Sequence, residues 1–402
     1  MERGLLPGAD LTKRAGLGFA VCLAMASSAC SSLPAPLVPS SGLTAPAPGP
    51  NDLRSRPAAG FEVLHTFESA AGGSQVTGSP IVLSSVVYGT TRDGGFGKCR
   101  CGKIFAISQS GTERTLYSFT GGRGGSWPVL LTSERNSLYG STTTTVFRIT
   151  PGGAKTTTLE TNYDRIPQSL TAASGHLYGT TLGGSHDDGA VVELMRDGRE
   201  RVAYSFSDQN QAGGLRWWNG ALYGTQTEET LTESLGLIFS LRRSGPESTV
   251  ARVSVGPHGG ALVGAPAALR GDLYVSSSAG GSGPCRCGVI YKIGLAGNVS
   301  SVHVFHGKPD GTSPSTPLVA MNGNLYGATA SGGSGSCGEG LDSGCGAIYE
   351  LTTAGRESIV YSFENGVDGE KPFALAAHNG SLFGYSATSD GAVLFKLTPP
   401  SP

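Results

Sequence analysis

The sequence contains little charge and no long run of charges of one sign. Asp, Glu, Lys and Arg make up 15% of its 402 residues, and 29 basic residues nearly balance 30 acidic ones. A protein that holds nucleic acid by its phosphates needs a basic patch. The sequence has no cluster of Lys or Arg that would form one, so we expect no nucleic-acid partner.

Motifs of common enzymes are also lacking. The sequence contains neither His-Glu-x-x-His, the motif of zinc peptidases, nor Gly-x-Ser-x-Gly, the nucleophile motif of α/β-hydrolases. Residues 333–338 spell a dinucleotide-binding fingerprint, but no helix follows that would point at a phosphate. The sequence therefore predicts no catalytic residue, no metal ligand and no cofactor.

Long hydrophobic runs are missing too. The apolar stretch nearest the amino terminus, residues 15–26, is too short to span a membrane as a helix. Basic residues precede it and small residues follow it, which is the pattern of a secretory signal peptide. Cys30 comes next, and the junction resembles the lipobox of bacterial lipoproteins, with Ser27 where leucine is preferred. We predict a signal peptide of the lipoprotein type over residues 1–29 and lipidation of Cys30.

The alternative to lipidation is ordinary cleavage after Ala26 or Ala29, which would give a secreted or periplasmic protein. Residues 30–60 favour the anchored form, because they are rich in Pro, Ser, Ala and Gly and cannot bury enough apolar surface to fold. Such a segment predicts an extended tether. We therefore expect an exported lipoprotein of the cell envelope that touches the membrane only through its lipid.

Glycine, by contrast, is abundant, and one short phrase containing it recurs along the chain. The phrase reads Val-Tyr-Gly-Thr-Thr at residues 87–91 and returns six more times with small changes. Its seven aromatic residues are Tyr88, Tyr139, Tyr178, Tyr223, Tyr274, Tyr326 and Phe383. Around each phrase lie three further strand-like runs. Four short strands in a repeat of about 40 to 50 residues are typical of a β-propeller blade.

The two ends of the repeat array predict a closed ring. Residues 62–67 form an outer-strand run before any inner strand has appeared, and the last unit stops after its third strand, residues 393–395. A ring in which the N-terminal strand completes the last blade accounts for both ends and leaves no open sheet edge. We therefore predict an all-β, seven-bladed β-propeller of four-stranded blades over residues 61–402, and we expect a monomer.

The repeat resembles the GloVer tandem repeat of exported bacterial proteins, which combines Leu-Tyr-Gly-Thr-Thr, Gly-Gly and Gly-x-Val-Phe. Residues 87–95, 177–184 and 325–333 carry it best, and the resemblance covers residues 61–398. Units two, four and seven lack the Gly-Gly pair, and in unit five Val275 replaces the glycine of the phrase. The resemblance implies an exported propeller-like array and brings no defined catalytic residues.

Loop lengths predict which face of the propeller carries the binding site. Connections from inner to second strand and from third to outer strand are short, and all fall on one face. The other two connections are long and fall on the opposite face, where binding sites usually form on a rigid scaffold. We call it the long-loop face. Its candidate binding residues are Asp93, Trp127, Asp187, Asp188, Asp342 and Asp368. The alternative is that these loops are only glycine-rich spacers.

Six cysteines also lie in the predicted long loops, and export favours disulfides over free thiols. They are Cys99, Cys101, Cys285, Cys287, Cys337 and Cys345. Pairing within each loop is favoured, because blades one and five are not neighbours in a seven-membered ring. The Cys-x-Cys pairs would need a local bend, since alternate Cα atoms of an extended chain lie about 6.6 Å apart. The rival interpretation is a four-thiolate zinc site joining blades five and six.

Most aromatic residues and two histidines are better explained by packing than by ligand binding. The tyrosine of the phrase lies inside a strand, so we expect it between adjacent blades. His65 and His303 occupy an outer-strand position that tyrosine fills in other units. Trp127, Trp217 and Trp218 are better candidates for exposed contacts. Trp127 lies in a loop of the long-loop face, whereas the alternative for Trp217 and Trp218 is a place in the core as part of an inner strand.

Two classes of function remain open from the sequence, besides a purely structural surface protein. The favoured one is a non-enzymatic binding module that contacts a protein or glycan through the long-loop face. The alternative is a propeller enzyme, namely a hydrolase, a lyase or a quinone-dependent dehydrogenase acting on an extracellular carbohydrate. The enzyme would need several polar side chains converging at the central channel.

Overall fold

The protein is described by a computed structural model. The described residues are 60–68, 73–160, 166–173, 175–181, 189–195, 199–206, 211–229, 234–242, 247–256, 261–282, 285–340 and 343–400. Among them, a single turn of 3-10 helix at Gly122–Gly124 accompanies twenty-nine strands. None of the described helical structure has the length or hydropathy needed to cross a membrane. The predicted signal peptide, Cys30 and nearly all of the predicted tether lie outside the described residues.

The strands alternate with turns throughout. In chain order they are β1 (Gly60–Glu68), β2 (Val76–Leu83), β3 (Val86–Thr91), β4 (Lys103–Ile107), β5 (Glu113–Ser118), β6 (Val129–Glu134), β7 (Ser137–Ser141), β8 (Thr145–Ile149), β9 (Lys155–Glu160), β10 (Pro167–Ala173), β11 (His176–Thr181), β12 (Ala190–Leu194), β13 (Glu200–Ser205), β14 (Gln211–Trp218), β15 (Ala221–Glu229), β16 (Ser234–Leu241), β17 (Glu247–Gly256), β18 (Ala267–Leu269), β19 (Asp272–Ser277), β20 (Val289–Ile293), β21 (Val299–Val304), β22 (Thr312–Pro314), β23 (Val319–Met321), β24 (Asn324–Ser331), β25 (Ala347–Leu351), β26 (Glu357–Ser362), β27 (Glu370–His378), β28 (Ser381–Ala387) and β29 (Gly391–Thr398).

These strands form seven antiparallel sheets, which are the blades of a β-propeller. Blades one to five are β2–β5, β6–β9, β10–β13, β14–β17 and β18–β21, each with four strands in sequential order. In blade six the inner strand is split into β22 and β23, which both pair with β24. Blade seven has the order β1-β29-β28-β27, so the N-terminal strand is its outer strand. The predicted fold and its mode of closure are confirmed.

The core is divided into seven hydrophobic clusters, and each lies between two successive blades. The cluster between blades seven and one, for example, brings Phe67 of β1 against Phe105 of β4, with ring centroids 4.9 Å apart. The aromatic residues of the repeated phrase all contribute to these clusters. The prediction that they pack between blades is therefore confirmed. Blade-to-blade burial of this kind supplies the hydrophobic stabilisation of the ring.

A steric constraint explains why glycine occupies the third position of the phrase. Gly89 pairs with Phe105 across β3 and β4, and the ring lies so close that a Cβ on Gly89 would collide with it. In blade five the equivalent position is Val275, opposite Tyr291. The Tyr291 hydroxyl donates to the carbonyl oxygen of Ser254 at 2.7 Å, in blade four. Because this ring reaches towards the neighbouring blade, valine is accommodated where the other units need glycine.

Short turns join the inner and second strands, as predicted. Asn219-Gly220, Asn322-Gly323 and Asn379-Gly380 have positive φ at both residues, which two-residue hairpins of this type require. In blade five the turn is Arg270-Gly271, and Asp272 already begins β19. The connection between the second and third strands of blade four is shorter than the long loops expected on that face, since β15 runs to Glu229 and β16 begins at Ser234.

Candidate functional site

The cysteines of the long-loop face are paired within their own loops. Cys99 lies against Cys101, Cys285 against Cys287, and Cys337 against Cys345, with Cα atoms 5.1, 5.1 and 4.9 Å apart. A four-thiolate site would instead require sulfurs from two blades to meet. The bend that the two Cys-x-Cys pairs need falls on the residue between the cysteines, because Arg100 and Arg286 have positive φ. Gly102 and Gly288 come after the Cys-x-Cys pairs, so the bend between the cysteines does not depend on these glycines.

Each paired loop supports the entrance to the next blade through the same contacts. The backbone N–H of Trp127 donates to the Cys101 carbonyl oxygen at 2.9 Å, that of Ser313 to Cys287 at 2.8 Å, and that of Lys371 to Cys345 at 2.7 Å. Proline follows each of these three donors, and each donor has positive φ. The loops therefore form one repeated scaffold that presents a different side chain in each copy: Trp, Ser or Lys.

Trp127 is the most prominent side chain presented in this way. It lies two residues before β6, so it stands beside the mouth of the central channel, and half of its surface is exposed (50%). The Arg92 guanidinium covers part of its ring, with the guanidinium carbon 3.9 Å from the ring centroid. This cation–π contact and the fixed backbone hold the indole in one orientation. The sequence predicted the exposure of Trp127 but missed Arg92, which directly follows the phrase of unit one.

Asp93 organises the loop next to Arg92. Its Oδ1 accepts hydrogen bonds from the backbone N–H groups of Ser74 and Gln75, both at 3.0 Å, and Oδ2 accepts one from the Ser74 hydroxyl at 3.3 Å. The Arg92 N–H donates to the Gln75 carbonyl oxygen at 2.7 Å. Asp93 thus joins the segment entering blade one to the loop that carries Arg92.

An open depression of about 360 Å³ lies between blades seven and one, on the same face. Ser74 and Gln75 form one wall, and Ser389 and Asp390 form another. Phe373, which is 37% exposed, forms the floor and stacks on Tyr385 with ring centroids 5.9 Å apart. Burial strongly raises the pKa of Tyr385, so that phenol stays neutral. The sequence did not identify Phe373 as a candidate binding residue, although it follows Pro372 near the start of β27.

Arg92 links the depression to Trp127, since its backbone N–H donates to Gln75 and its guanidinium covers the indole; we call these residues together the 7-1-2 surface. It runs from blade seven to blade two and comprises Ser74, Gln75, Arg92, Asp93, Trp127, Phe373, Ser389 and Asp390. Phe96, on the same loop of blade one as Asp93, is 77% exposed. Two aromatic faces separated by hydroxyl, amide and carboxylate groups give this surface the means to stack on a ligand and to hydrogen-bond it.

The remaining candidate residues do not join this surface as one site. Asp368 is 5% exposed, and its carboxylate accepts hydrogen bonds from the Tyr361 hydroxyl and from the backbone N–H groups of Glu364 and Gly366. The contacts of Asp368 thus close its own loop. Three of the candidates, Asp187, Asp188 and Asp342, lie outside the described residues.

A second cavity lies on the opposite face, between blades two and three. It has a volume of about 400 Å³ and is lined by Arg135, Arg148 and Arg199 together with apolar residues such as Leu177 and Leu194. Arg148 donates to the Ser137 hydroxyl, which fixes its guanidinium at the wall. Sequence reasoning missed this cavity because its lining comes from short turns and from strand ends that follow no motif.

Carboxylates and histidines do not gather at the central channel in the described part of the chain. The one group of three such residues found there, His303, Asp310 and Glu357, lies on the outer strands and connecting loop of blades five and six. Trp217 and Trp218 pack in the clusters that blade four shares with its two neighbours, which is the inner-strand alternative and not an exposed contact.

Comparison with known families identifies the repeat. Residues 210–402, from the inner strand of blade four to the end of blade seven, match the sequence profile of the Gloeobacter/Verrucomicrobia repeat. Residues 210–402 carry GloVer repeats. The resemblance seen in the sequence is thereby confirmed. No curated protein matches the chain at a significant level.

Solved structures resemble this GloVer-repeat protein in fold alone. Virginiamycin B lyase from Staphylococcus aureus is 15% identical, with a TM-score of 0.58, covering 85% of this chain and 99% of the lyase. The same lyase, catalytically inactive and with quinupristin, gives a TM-score of 0.60 at the same identity and coverage. Puromycin hydrolase is 10% identical with a TM-score of 0.52, covering 83% of this chain and 54% of the hydrolase.

Proposed function

We propose that this protein is a non-enzymatic binding propeller of the cell envelope and that its 7-1-2 surface binds a glycan. The observation that carries the proposal is Trp127, whose indole is half exposed yet held by Arg92 and by the disulfide-supported backbone. An exposed indole loses little conformational freedom on binding when it is already fixed. Sugar rings offer C–H faces that stack on such an indole.

The polar groups of the 7-1-2 surface support a glycan over a purely apolar ligand. Ser74, Gln75 and Asp390 line the depression beside Phe373 and supply donors and acceptors for sugar hydroxyls. The surface is open rather than enclosed, which suits a chain-like polymer passing across it. Binding by stacking and hydrogen bonding requires no reacting group, so the proposal needs none of the convergent catalytic residues that an enzyme would require.

Binding of soluble glycans to the full-length chain tests the proposal. The probes are muropeptides, β-glucan oligosaccharides and chitin oligosaccharides, measured by isothermal titration. We expect at least one to bind, and the substitution Trp127→Ser to weaken that binding about five- to thirtyfold, because indole stacking contributes on the order of 1–2 kcal/mol. The matched control is Leu295→Ser, which removes an apolar side chain of 46% exposure from the opposite face.

Unchanged affinity in Trp127→Ser would contradict the site, and failure of all three glycan classes would contradict the ligand class.

The enzyme alternative has one point in its favour, since proteins of similar fold include a lyase and a hydrolase. Mass spectrometry of the recovered oligosaccharides separates the two. Intact oligosaccharides support the binding module, and new cleavage products favour the enzyme.

Export and lipid anchoring belong to the same proposal. Cys30, in its lipobox-like setting, is the residue we propose to be acylated, with the 30–60 segment as the tether. Expression with a labelled fatty acid tests this directly. We expect label and membrane association in the wild-type protein, and loss of both in Cys30→Ser. Export of the wild-type protein without label would favour ordinary cleavage instead, and label retained by Cys30→Ser would place the acylation at another residue.

A further inference from the structure

His303 and Asp310 form a contact at the outer edge of blade five. His303 lies in β21, and its Nε2 is 3.0 Å from Oδ1 of Asp310 in the loop that leads to blade six. The other Asp310 oxygen accepts the backbone N–H of His306 at 2.8 Å. Tyr361 and Asp368 make the equivalent contact one blade later. The His303–Asp310 pair is therefore part of the loop architecture.

Glu357 adds a second carboxylate to this pair from the neighbouring blade. It is the first residue of β26, the outer strand of blade six. Donor atoms of His303, Asp310 and Glu357 all lie within 4.8 Å of one another. The exposed side chain of His306 stands at the rim, with Nδ1 3.6 Å from Asp310 Oδ2. Two carboxylates and an imidazole thus converge between two blades.

The same position in blade one shows how the chain satisfies such a glutamate elsewhere. Glu113 is the first residue of β5 and contacts Nε2 of His65, from the outer strand of blade seven, at 3.2 Å. The ammonium group of Lys103 lies against its other oxygen. Burial alone would raise the pKa of Glu113, but hydrogen bonds and charge from His65 and Lys103 hold it below its ordinary value. In blade one, the Lys103 ammonium group thus balances the charge of the Glu113 carboxylate.

Blade six has no such lysine. Ala347 pairs with Ser362 at the register position where Lys103 pairs with Ser118, so no cationic side chain enters from the third strand. In its place Asp310 brings another negative charge. Burial and then the charge of Asp310 raise the pKa of Glu357 to about 8. The site therefore holds one carboxylate more, and one cation fewer, than its counterpart in blade one.

Buried oxygens around Glu357 also lack partners among the described residues. Glu357 Oε1 is enclosed and accepts no hydrogen bond. The Tyr349 hydroxyl, on a fully buried side chain, makes no hydrogen bond of normal geometry, although Ser276 lies nearby. Burial and the charges of Glu357 and Asp310 raise the pKa of Tyr349, so its hydroxyl stays neutral. Buried polar atoms are normally satisfied, so the unpartnered Oε1 of Glu357 points to a missing cation at this carboxylate.

We propose that His303, Asp310 and Glu357 bind a divalent transition-metal ion that joins the outer edges of blades five and six. Ligand atoms about 2.0–2.2 Å from a tetrahedral Zn²⁺ lie about 3.3–3.6 Å apart. The three donor atoms lie within 4.8 Å of one another, so small side-chain rotations would close them around an ion. The imidazole nitrogen favours Zn²⁺ over Mg²⁺ and Ca²⁺, which prefer oxygen ligands alone. His306 at the rim is placed to become a fourth ligand by side-chain rotation.

Thermal unfolding of the full-length chain, freed of metal with a chelator and then dialysed, tests the proposal. We expect Zn²⁺ to raise Tm with a saturable concentration dependence, because an ion that binds only the folded state stabilises it. Ca²⁺ and Mg²⁺ should have little effect. Glu357→Gln and His303→Gln should each weaken Zn²⁺ binding at least about tenfold, as loss of a ligand does.

Glu113→Gln is the matched control, since it changes the equivalent glutamate of blade one and leaves all three proposed ligands in place. Relative to its own metal-free Tm, it should keep the full Zn²⁺ response. Isothermal titration of Zn²⁺ into the metal-free protein adds a second readout, because it measures the affinity and the number of ions bound. A Zn²⁺ response that survives in Glu357→Gln, or its absence from the wild-type protein, would overturn the proposal.

Discussion

The junction between blades one and two and the junction between blades five and six share a backbone but differ in chemistry. Both contain a Cys-x-Cys loop, and both have a residue of positive φ before proline, Trp127 in one and Ser313 in the other. In each, the N–H of that residue donates to a cysteine carbonyl oxygen. The indole is exposed on the long-loop face at the first junction, whereas the second carries only a hydroxymethyl group.

This difference shows how a repeat protein separates stability from function. The cysteine loop, the glycine after it and the proline of the next blade occur at both junctions, and their contacts join the two blades. The side chain before the proline is free to vary because it points away from those contacts. Binding specificity can therefore change at this position with little effect on folding.

The largest expected effect comes from the glycine that follows each Cys-x-Cys loop. A Cβ on Gly102 would collide with Pro128, and one on Gly288 would collide with Pro314, while both residues have positive φ. We expect Gly102→Ala and Gly288→Ala each to lower the free energy of unfolding by about 2–4 kcal/mol, combining overpacking with backbone strain. Urea unfolding followed by circular dichroism measures both.

Gly220→Ala is the control for backbone strain alone, since Gly220 has positive φ but no atom within 4 Å of the position that a Cβ would take. It should cost about 1 kcal/mol. The comparison of the two junctions would be broken if Gly102→Ala and Gly288→Ala differed by more than the cost of the control, because the scaffold would then not be shared.

Disulfide removal should have a smaller effect that depends on loop length. Cys337 and Cys345 are 8 residues apart in sequence, whereas Cys99 and Cys101 are 2 apart. Loop-closure entropy predicts a loss of about 2.5 kcal/mol for the first pair and about 1.5 kcal/mol for the second when both cysteines become serine. Chemical denaturation of the two double variants measures the difference. Equal losses would mean that packing of the sulfurs, rather than chain entropy, sets their contribution.

A third prediction extends the comparison to the outer edges, where Glu113 and Glu357 are equivalent. The pKa of Glu113 lies below its ordinary value of 4.5, so its ion pairs stabilise the fold above that pH and are lost as pH falls through the lowered folded-state value. Glu113→Gln should cost about 1.5 kcal/mol at pH 7, the scale of a charge-assisted hydrogen bond.

The cost of Glu113→Gln should then shrink as the pH is lowered from 6 towards 3, and Tm against pH for the two proteins measures this. A cost that stays constant with pH would show that Glu113 contributes packing rather than charge.

The smallest effect on stability is expected for Trp127→Ser. Serine already occupies the equivalent position 313 with φ of 52°, close to the 56° of Trp127. The variant should therefore unfold within about 0.5 kcal/mol of the wild-type protein, as exposed substitutions do. Denaturant melts check this. A large loss of stability would mean that the indole supports the blade interface, and any loss of binding would then need another explanation.

Much of this architecture could be predicted from the sequence because repetition makes it visible. The phrase around Tyr88 and its six relatives sets the blade number, and the early run at residues 62–67 predicts the closure. The packing of the phrase's aromatic residues followed from their place inside a strand.

The details that the sequence did not show all involve contacts between units. Arg92 of blade one contacts Trp127 at the entrance to blade two. Glu357 of blade six likewise lies near Asp310, which follows the outer strand of blade five. Neither pair has a fixed spacing that a motif could record. The lysine missing opposite Glu357 is visible only once Ala347 and Lys103 are known to share a register position.

The central claim is that a glycan stacks on Trp127. Replacing Trp217 and Trp218 by phenylalanine leaves Trp127 as the only tryptophan of the three in the chain. Fluorescence titration of this full-length variant with muropeptides, β-glucan oligosaccharides and chitin oligosaccharides then reports on Trp127 alone. The account predicts a saturable change in indole emission with the same affinity that calorimetry gives for the wild-type protein. Binding detected by calorimetry without any change in emission would contradict it.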